Sequence, residues 1–127
     1  MASTTEAQVR EALQRWAQAI EAADMAGVLA DRADDVVLFD VPPAMQVRGL
    51  AAYREAWELF FSFQGAGTFR FEELDVVAGE DVAFAHGIVT VGPREPAGQF
   101  PVRLTVGLAR RDGRWLVVHE HHSAPSP

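Results

Sequence analysis

Four histidines and one carboxylate at the end of an apolar run are the residues best suited to chemistry. His119, His121 and His122 fall in one C-terminal run, and His86 stands apart from them. Imidazole exchanges protons near neutral pH. Two of these rings facing one space could act as general acid and base, or donate to a carbonyl oxygen. In a strand, residues i and i+2 point the same way, so His119 and His121 could also offer two nitrogens to zinc or iron. Such a site needs a further ligand. No spacing here fixes one, so no metal is expected. The plainer alternative is that histidines bond to backbone and lock the chain end.

Asp40 closes the run Val36-Val37-Leu38-Phe39, just ahead of Pro42-Pro43. A carboxylate there would look into the mouth of a pocket. Surrounded by Phe and Trp, it would hold its proton more tightly and become a usable base. It could equally cap the turn before the prolines. Arg103 alternates with apolar residues, and a buried guanidinium needs an anion; Glu120 is its expected cross-strand partner, with a substrate anion as the alternative. Trp16, Tyr53, Trp57, Phe60, Phe61, Phe69 and Phe84 are mostly expected in the core. Where Trp16, Tyr53, Trp57, Phe60 and Phe84 border a cavity, with Arg103, they favour a small apolar or aromatic molecule.

Composition removes other classes of function. The 127 residues suit one domain, read as residues 1–127 with a loose tail at 123–127. Hydrophobic residues at 49% and charged ones at 23% argue against disorder. A net charge of −7 opposes binding to phosphate backbones and to anionic membranes. With no cysteine, disulfides, thiolate metal sites and cysteine nucleophiles are excluded. The first residues have neither a basic segment nor an apolar core, so no secretory signal is expected and a cytoplasmic location is the natural reading. No apolar run approaches the roughly 20 residues of a membrane span. No dinucleotide fingerprint, P-loop or nucleophile elbow occurs, so no cofactor and no serine hydrolase chemistry is expected.

The elements that must position these residues switch period once. Ser3 and Glu6 fit a capping box, and Val9, Leu13, Trp16 and Ile20 then mark one helix face. Asp24 caps a short second helix carrying Val28 and Leu29. Val36 to Val41 reads as a strand stopped by the prolines. Gly49 opens a third helix to about Phe63, which Gly65 and Gly67 end. Strands are predicted over Thr68–Ala78, Val82–Val91, Gln99–Arg111 and Arg114 to about His122. Asp112-Gly113 is the strongest hairpin signal among their turns. The order α-α-β-α-β-β-β-β implies an α+β domain, with helices on one face of an antiparallel sheet.

Parity then groups side chains. A two-residue turn at Asp112-Gly113 pairs Leu104 with His121, Val106 with His119 and Leu108 with Val117. Pairing Val91 with Gln99 sets His86 beside Leu104. One face then carries Phe84, His86, Ile88, Leu104, Val106, Leu108, Trp115, Val117, His119 and His121. It is bulky and apolar, and is read as the interior. The other, with Ala83, Ala85, Gly87, Arg103 and Glu120, is read as the outer or dimer face. A single bulge would shift part of this assignment.

The segments Ala33-Asp34-Asp35, Phe39-Asp40-Val41-Pro42, the Gly49 helix and the ending Asp112-Gly113-Arg114-Trp115 through His119-Glu120-His121-His122 resemble the nuclear transport factor 2-like superfamily, in its SnoaL-like, ketosteroid isomerase-like branch. The resemblance spans almost the whole chain. It implies a cone-shaped fold: about three N-terminal helices on a strongly bent antiparallel sheet, a pocket at the open end, and commonly a homodimer through the outer sheet face. It places Asp40 on the proton-shuttling aspartate of ketosteroid isomerase. That enzyme also uses a tyrosine and a protonated aspartic acid. Here the tyrosine position is Trp16, and Leu104 to Leu108 holds no acid, so steroid isomerisation is not expected. The implied activity is a cofactor-independent isomerase, cyclase or hydrolase with Asp40 as base, assisted by His86, His119 or His121. A non-catalytic ligand-binding or dimerisation module is the alternative. Carbonic anhydrase chemistry of the iota class is a third, suggested by the His-His-Ser ending.

Overall fold

A computed structural model of the chain describes residues 4–40 and 45–125. The first helix, α1 (Thr5–Glu21), turns Val9, Leu13, Trp16 and Ile20 inward, as their spacing requires. Its cap is Thr4, whose side chain accepts from the Ala7 N–H. Ser3 lies outside the described residues, and Glu6 pairs with Arg10 instead of reaching back to the cap. Asp24 caps α2 (Met25–Leu29) by accepting from the Gly27 N–H. Strand β1 (Arg32–Phe39) starts four residues earlier than its apolar run suggests; Pro42 and Pro43 lie outside the described residues. A short β2 (Val47–Arg48) precedes α3 (Leu50–Gln64), which is bounded by Gly49 and Gly65, both at positive φ.

Strands β3 (Thr68–Ala78), β4 (Val82–Gly92), β5 (Phe100–Arg111) and β6 (Arg114–Ser123) follow. The sheet order is β2-β1-β6-β5-β4-β3. It is mixed, not wholly antiparallel: β1 lies parallel to β6, because the chain crosses from one edge region to the other through α3 and three further strands. Helix α1 packs on β3 and α3 on β1, which leaves three helices against one face of a six-stranded sheet among the described residues. The last strand runs to Ser123, so that residue belongs to the sheet and not to a tail.

Two register details decide which side chains enter the core. The first lies between β4 and β5. Gln99 is not in the ladder; its side chain donates to Pro93 O and Thr68 Oγ1 across a 3-10 turn at Pro96–Gly98. Val91 therefore pairs with Phe100, and His86 with Thr105. A slip of one residue reverses a strand's faces. Ala83, Ala85, Val89 and Val91 are buried, while Phe84 and His86 face outward.

The second lies between β5 and β6. Asp112 and Gly113, both at positive φ, make the tight turn that pairs Arg111 with Arg114. Leu108 pairs with Val117 as parity requires, and Trp115 and Val117 are buried. The register then shifts: Gly107 pairs with His119, so Val118 is an extra residue. Beyond it, Glu120 and His122 face inward, and His119 and His121 do not. The expected interior cluster of His86, His119 and His121 is thus corrected by one slip and one bulge.

Candidate functional site

The inward turn of Glu120 brings a full negative charge into the core, where it is wholly buried. Isolated, such a charge would be very costly. It is met by Arg32 at the start of β1, itself almost completely buried. Arg32 Nε donates to Glu120 Oε1 at 2.7 Å, and Nη2 lies 2.7 Å from the same oxygen. The guanidinium carbon sits 4.4 Å from the centre of the Trp16 ring, a cation–π contact. Tyr53 donates its O–H to Glu120 Oε1 at 2.7 Å and accepts from Arg32 Nε at 2.9 Å and from Trp16 Nε1 at 3.2 Å. Burial pushes the Tyr53 phenol well above its ordinary 10, so it keeps the proton it donates. Burial would also push the Glu120 carboxyl up. The Arg32 charge, with the bonds from His122 and Tyr53, overrides this and brings it from an ordinary 4.5 down to about 2.

The other oxygen of that carboxylate fixes a histidine. Glu120 Oε2 lies 2.9 Å from His122 Nε2. An ionised carboxylate can only accept, so its partner assigns the proton to Nε2. His122 Nδ1 is then the ring nitrogen left clear of Glu120. It faces Asp40 Oδ1 at 3.7 Å. Asp40 follows Val36 and Leu38 in strand parity and so points to the same side, about a third exposed. A continuous polar line therefore runs from Trp16 through Tyr53 and Glu120 to His122 and Asp40.

Asp40 and His122 border a cavity of about 130 Å³. Its other walls are apolar: Leu38 from β1; Ala56, Trp57 and Phe60 from α3; and Phe69, Val91, Phe100 and Val102 from the sheet. Trp57 joins the two regions, with its ring centre 6.3 Å from that of His122. A carboxylate and an imidazole at one end of a greasy hollow can exchange protons with a bound molecule.

The structure brings together only some of the residues singled out from sequence. Asp40, Trp57 and Phe60 border the cavity. Trp16 and Tyr53 lie behind it in the buried network, with their polar atoms already engaged. His86 stacks on Phe84 on the outer face of the sheet. His119 Nδ1 donates to Val37 O at 2.8 Å and packs on Phe39, as does the exposed ring of His121. Arg103 is exposed and donates to Ser123 Oγ, while Glu120, its expected partner, belongs to Arg32. Among the described residues no three His, Asp or Glu are grouped as metal ligands.

Sequence reasoning missed Arg32 as a core residue and treated His122 only as a lock for the chain end. Arg32 sits in Asp31-Arg32-Ala33-Asp34-Asp35, ahead of the apolar run at Val36 where the strand is expected to begin. The available signal was Glu120 itself: an acid within an apolar strand demands a cation.

The comparisons agree with this architecture. Residues 9–127 match the family of SnoaL-like domains. The sequence matches no curated protein. Among solved structures, it is similar to an NTF2-like protein of unknown function from Pseudomonas putida KT2440, at 37% identity and a TM-score of 0.92, covering 100% of this chain and 91% of that one. A protein of unknown function with a cystatin-like fold from Nostoc punctiforme PCC 73102 is similar at 18% identity and a TM-score of 0.82, covering 99% and 97%. An NTF2-like protein with a cystatin-like fold from Novosphingobium aromaticivorans is similar at 16% identity and a TM-score of 0.72, covering 91% and 78%. A family match over nearly the full length, joined to the same helices-on-sheet architecture, makes this chain a member of the SnoaL-like family within the nuclear transport factor 2-like superfamily.

Proposed function

We propose that the cavity binds a small apolar molecule and that Asp40 and His122 move a proton on it without a cofactor, as an isomerase, cyclase or hydrolase would. One observation carries this reading. Glu120 holds His122 by Nε2, which leaves Nδ1 turned toward Asp40 at the polar end of an apolar hollow. Asp40 is the base, His122 is the second acid–base group, and Glu120 positions His122. His122 takes the assisting role first sought in His86, His119 and His121, whose rings face the other side of the sheet.

The test follows hydrogen on carbon, so it works whatever the product is. Single-ring ketones and alkenes are incubated with the protein in heavy water, and deuterium entering carbon is followed by NMR. Wild type is expected to catalyse exchange in at least one compound that binds. Asp40→Asn should cut the rate by about 100-fold or more, the usual weight of a positioned base. His122→Phe should also slow it, with the fold retained in both. Exchange unchanged in Asp40→Asn would refute the proposal. Binding without any exchange would leave a ligand-binding module.

A further inference from the structure

We infer that Tyr53 is a positioning residue for His122: its hydroxyl holds Glu120 Oε1 in place, so that Oε2 is kept for the imidazole. The consequence for proton transfer rests on the acid–base reading proposed above; the effect on the His122 ring does not. An arginine facing a carboxylate frequently forms two parallel bonds, one nitrogen to each oxygen. Arg32 and Glu120 do not pair in this way. Arg32 Nε and Nη2 both lie 2.7 Å from one oxygen, Oε1. Nε makes a hydrogen bond there. Nη2 is sealed from water and has no hydrogen-bond partner among the described residues. A buried donor left unpaired is costly, and a turn of the carboxylate that brought Oε2 to Nη2 would satisfy it. The same turn would take Oε2 away from His122 Nε2, which it meets at 2.9 Å. The carboxylate is therefore held short of its usual pairing with arginine.

Tyr53 is the group placed to hold it. Its oxygen accepts from Arg32 Nε at 2.9 Å and from Trp16 Nε1 at 3.2 Å. With two donors arriving, the phenol has its own proton left to give. The acceptor in reach is Glu120 Oε1, at 2.7 Å. The two incoming bonds thus fix the direction of the third. Tyr53 is completely buried on α3, so close packing denies the ring another position. Oε1 is pinned between donors from α3 and β1, and the oxygen left over meets His122 on β6. Tyr53 does not line the cavity, so its influence on the site passes through Glu120.

The test reads the imidazole itself. Wild type, Tyr53→Phe and Trp16→Phe are labelled with ¹⁵N-histidine and observed by NMR, the His122 signals being those missing from His122→Phe. Wild type should show one tautomer of His122, with the proton on Nε2. Tyr53→Phe should show mixed tautomers, because the freed carboxylate turns toward Arg32 Nη2. Trp16→Phe removes a donor to the Tyr53 oxygen but leaves the bond from Tyr53 to Glu120, so it should lose stability and keep the single tautomer. A single tautomer retained in Tyr53→Phe would overturn the inference. Equal mixing in Trp16→Phe would overturn it too, by assigning the effect to packing. The chain has one tyrosine, so 3-fluorotyrosine enters at position 53 alone and serves if Tyr53→Phe fails to fold. The fluorinated phenol is the stronger acid and donates more strongly to Oε1, which weakens Oε2 as an acceptor. The His122 Nε2 proton should then move upfield, and a signal that stays in place would overturn the inference. Where a compound exchanges deuterium, Tyr53→Phe should slow it toward the rate of His122→Phe. A tautomer fixed in wild type and lost in Tyr53→Phe, with no deuterium exchange in any protein, upholds the positioning role and refutes only the acid–base proposal.

Discussion

Replacing Arg32 by Met should reverse the way stability depends on pH. In the native protein Glu120 ionises near pH 2 against an ordinary 4.5. By linkage that difference is worth roughly 3 kcal/mol of folding free energy. Because the folded value is the lower one, the contribution is fully present above about pH 4.5 and is lost as pH falls toward 2. Arg32→Met removes the positive charge 2.7 Å away and leaves the carboxylate buried. The expected loss at pH 7 is about 3–5 kcal/mol, the usual cost of an uncompensated buried charge. Glu120 then escapes by taking a proton, so its folded value rises above the unfolded one. A raised value gives stability that is present at low pH and fades as pH climbs. Urea unfolding followed by tryptophan fluorescence, from pH 3 to pH 8, measures both limbs. Wild type should weaken below pH 4.5. The variant should be more stable at pH 5 than at pH 8. A variant whose stability tracks wild type across the range would show that Arg32 is not what holds Glu120 ionised.

Other substitutions test the cavity, the network and the register separately. Ala56 lines the cavity, so Ala56→Phe should fill it: small-molecule binding is lost, while the unfolding free energy stays within about 1 kcal/mol of wild type, because the ring enters empty volume and not packed core. A loss of several kcal/mol would mean there is no room at that wall. Tyr53 is the single tyrosine of the chain, so any phenolate absorbance is its own. Burial raises its ionisation above the ordinary 10, and the ultraviolet phenolate band should stay absent as pH passes 10, appearing only with unfolding. A Cβ at Gly87 would collide with the Glu73 carbonyl oxygen on the neighbouring strand. Gly87→Ala should therefore cost roughly 1–3 kcal/mol in a urea titration, and a neutral result would contradict the close approach of β3 and β4.

Local chemistry made the elements readable. The spacing of Val9, Leu13, Trp16 and Ile20, the caps at Asp24 and Gly49, and the turn at Asp112-Gly113 each act within a few residues, so their consequences are visible in sequence. Asp40 was legible for the same reason: it shares parity with Val36 and Leu38, both buried. The failures were long-range. Nothing local announces that Val118 is left unpaired, or that Gln99 spends its side chain on Pro93 and leaves the ladder. Each moves a strand by one residue, and one residue exchanges the two faces. That is why His119 and His121 were expected inside and His122 was not. The Arg32–Glu120 pair joins residues 88 apart in sequence, and parity before the bulge sets Glu120 on the face of Arg103 instead.

The bulge and the ion pair together separate what this core needs for folding from what the proposed proton transfer needs. A buried ion pair is a weak source of stability, since an apolar pair of similar volume often serves as well or better. Two methionines at positions 32 and 120 would be expected to pack with little loss. They could not accept the proton of His122 Nε2, however, and the imidazole would lose both its fixed tautomer and its aim at Asp40. The double variant Arg32→Met, Glu120→Met is the discriminating molecule. It should unfold within about 2 kcal/mol of wild type at pH 7, well above the single Arg32→Met variant. It should still bind whichever of the screened ketones and alkenes wild type binds, because neither residue lines the cavity. Its deuterium exchange should fall with that of His122→Phe, and the ¹⁵N signals of His122 should show mixed tautomers in place of one. A double variant that exchanges deuterium as fast as wild type would show that Glu120 is only a buried charge with a partner, and that the orientation of His122 comes from its packing between Trp16 and Trp57.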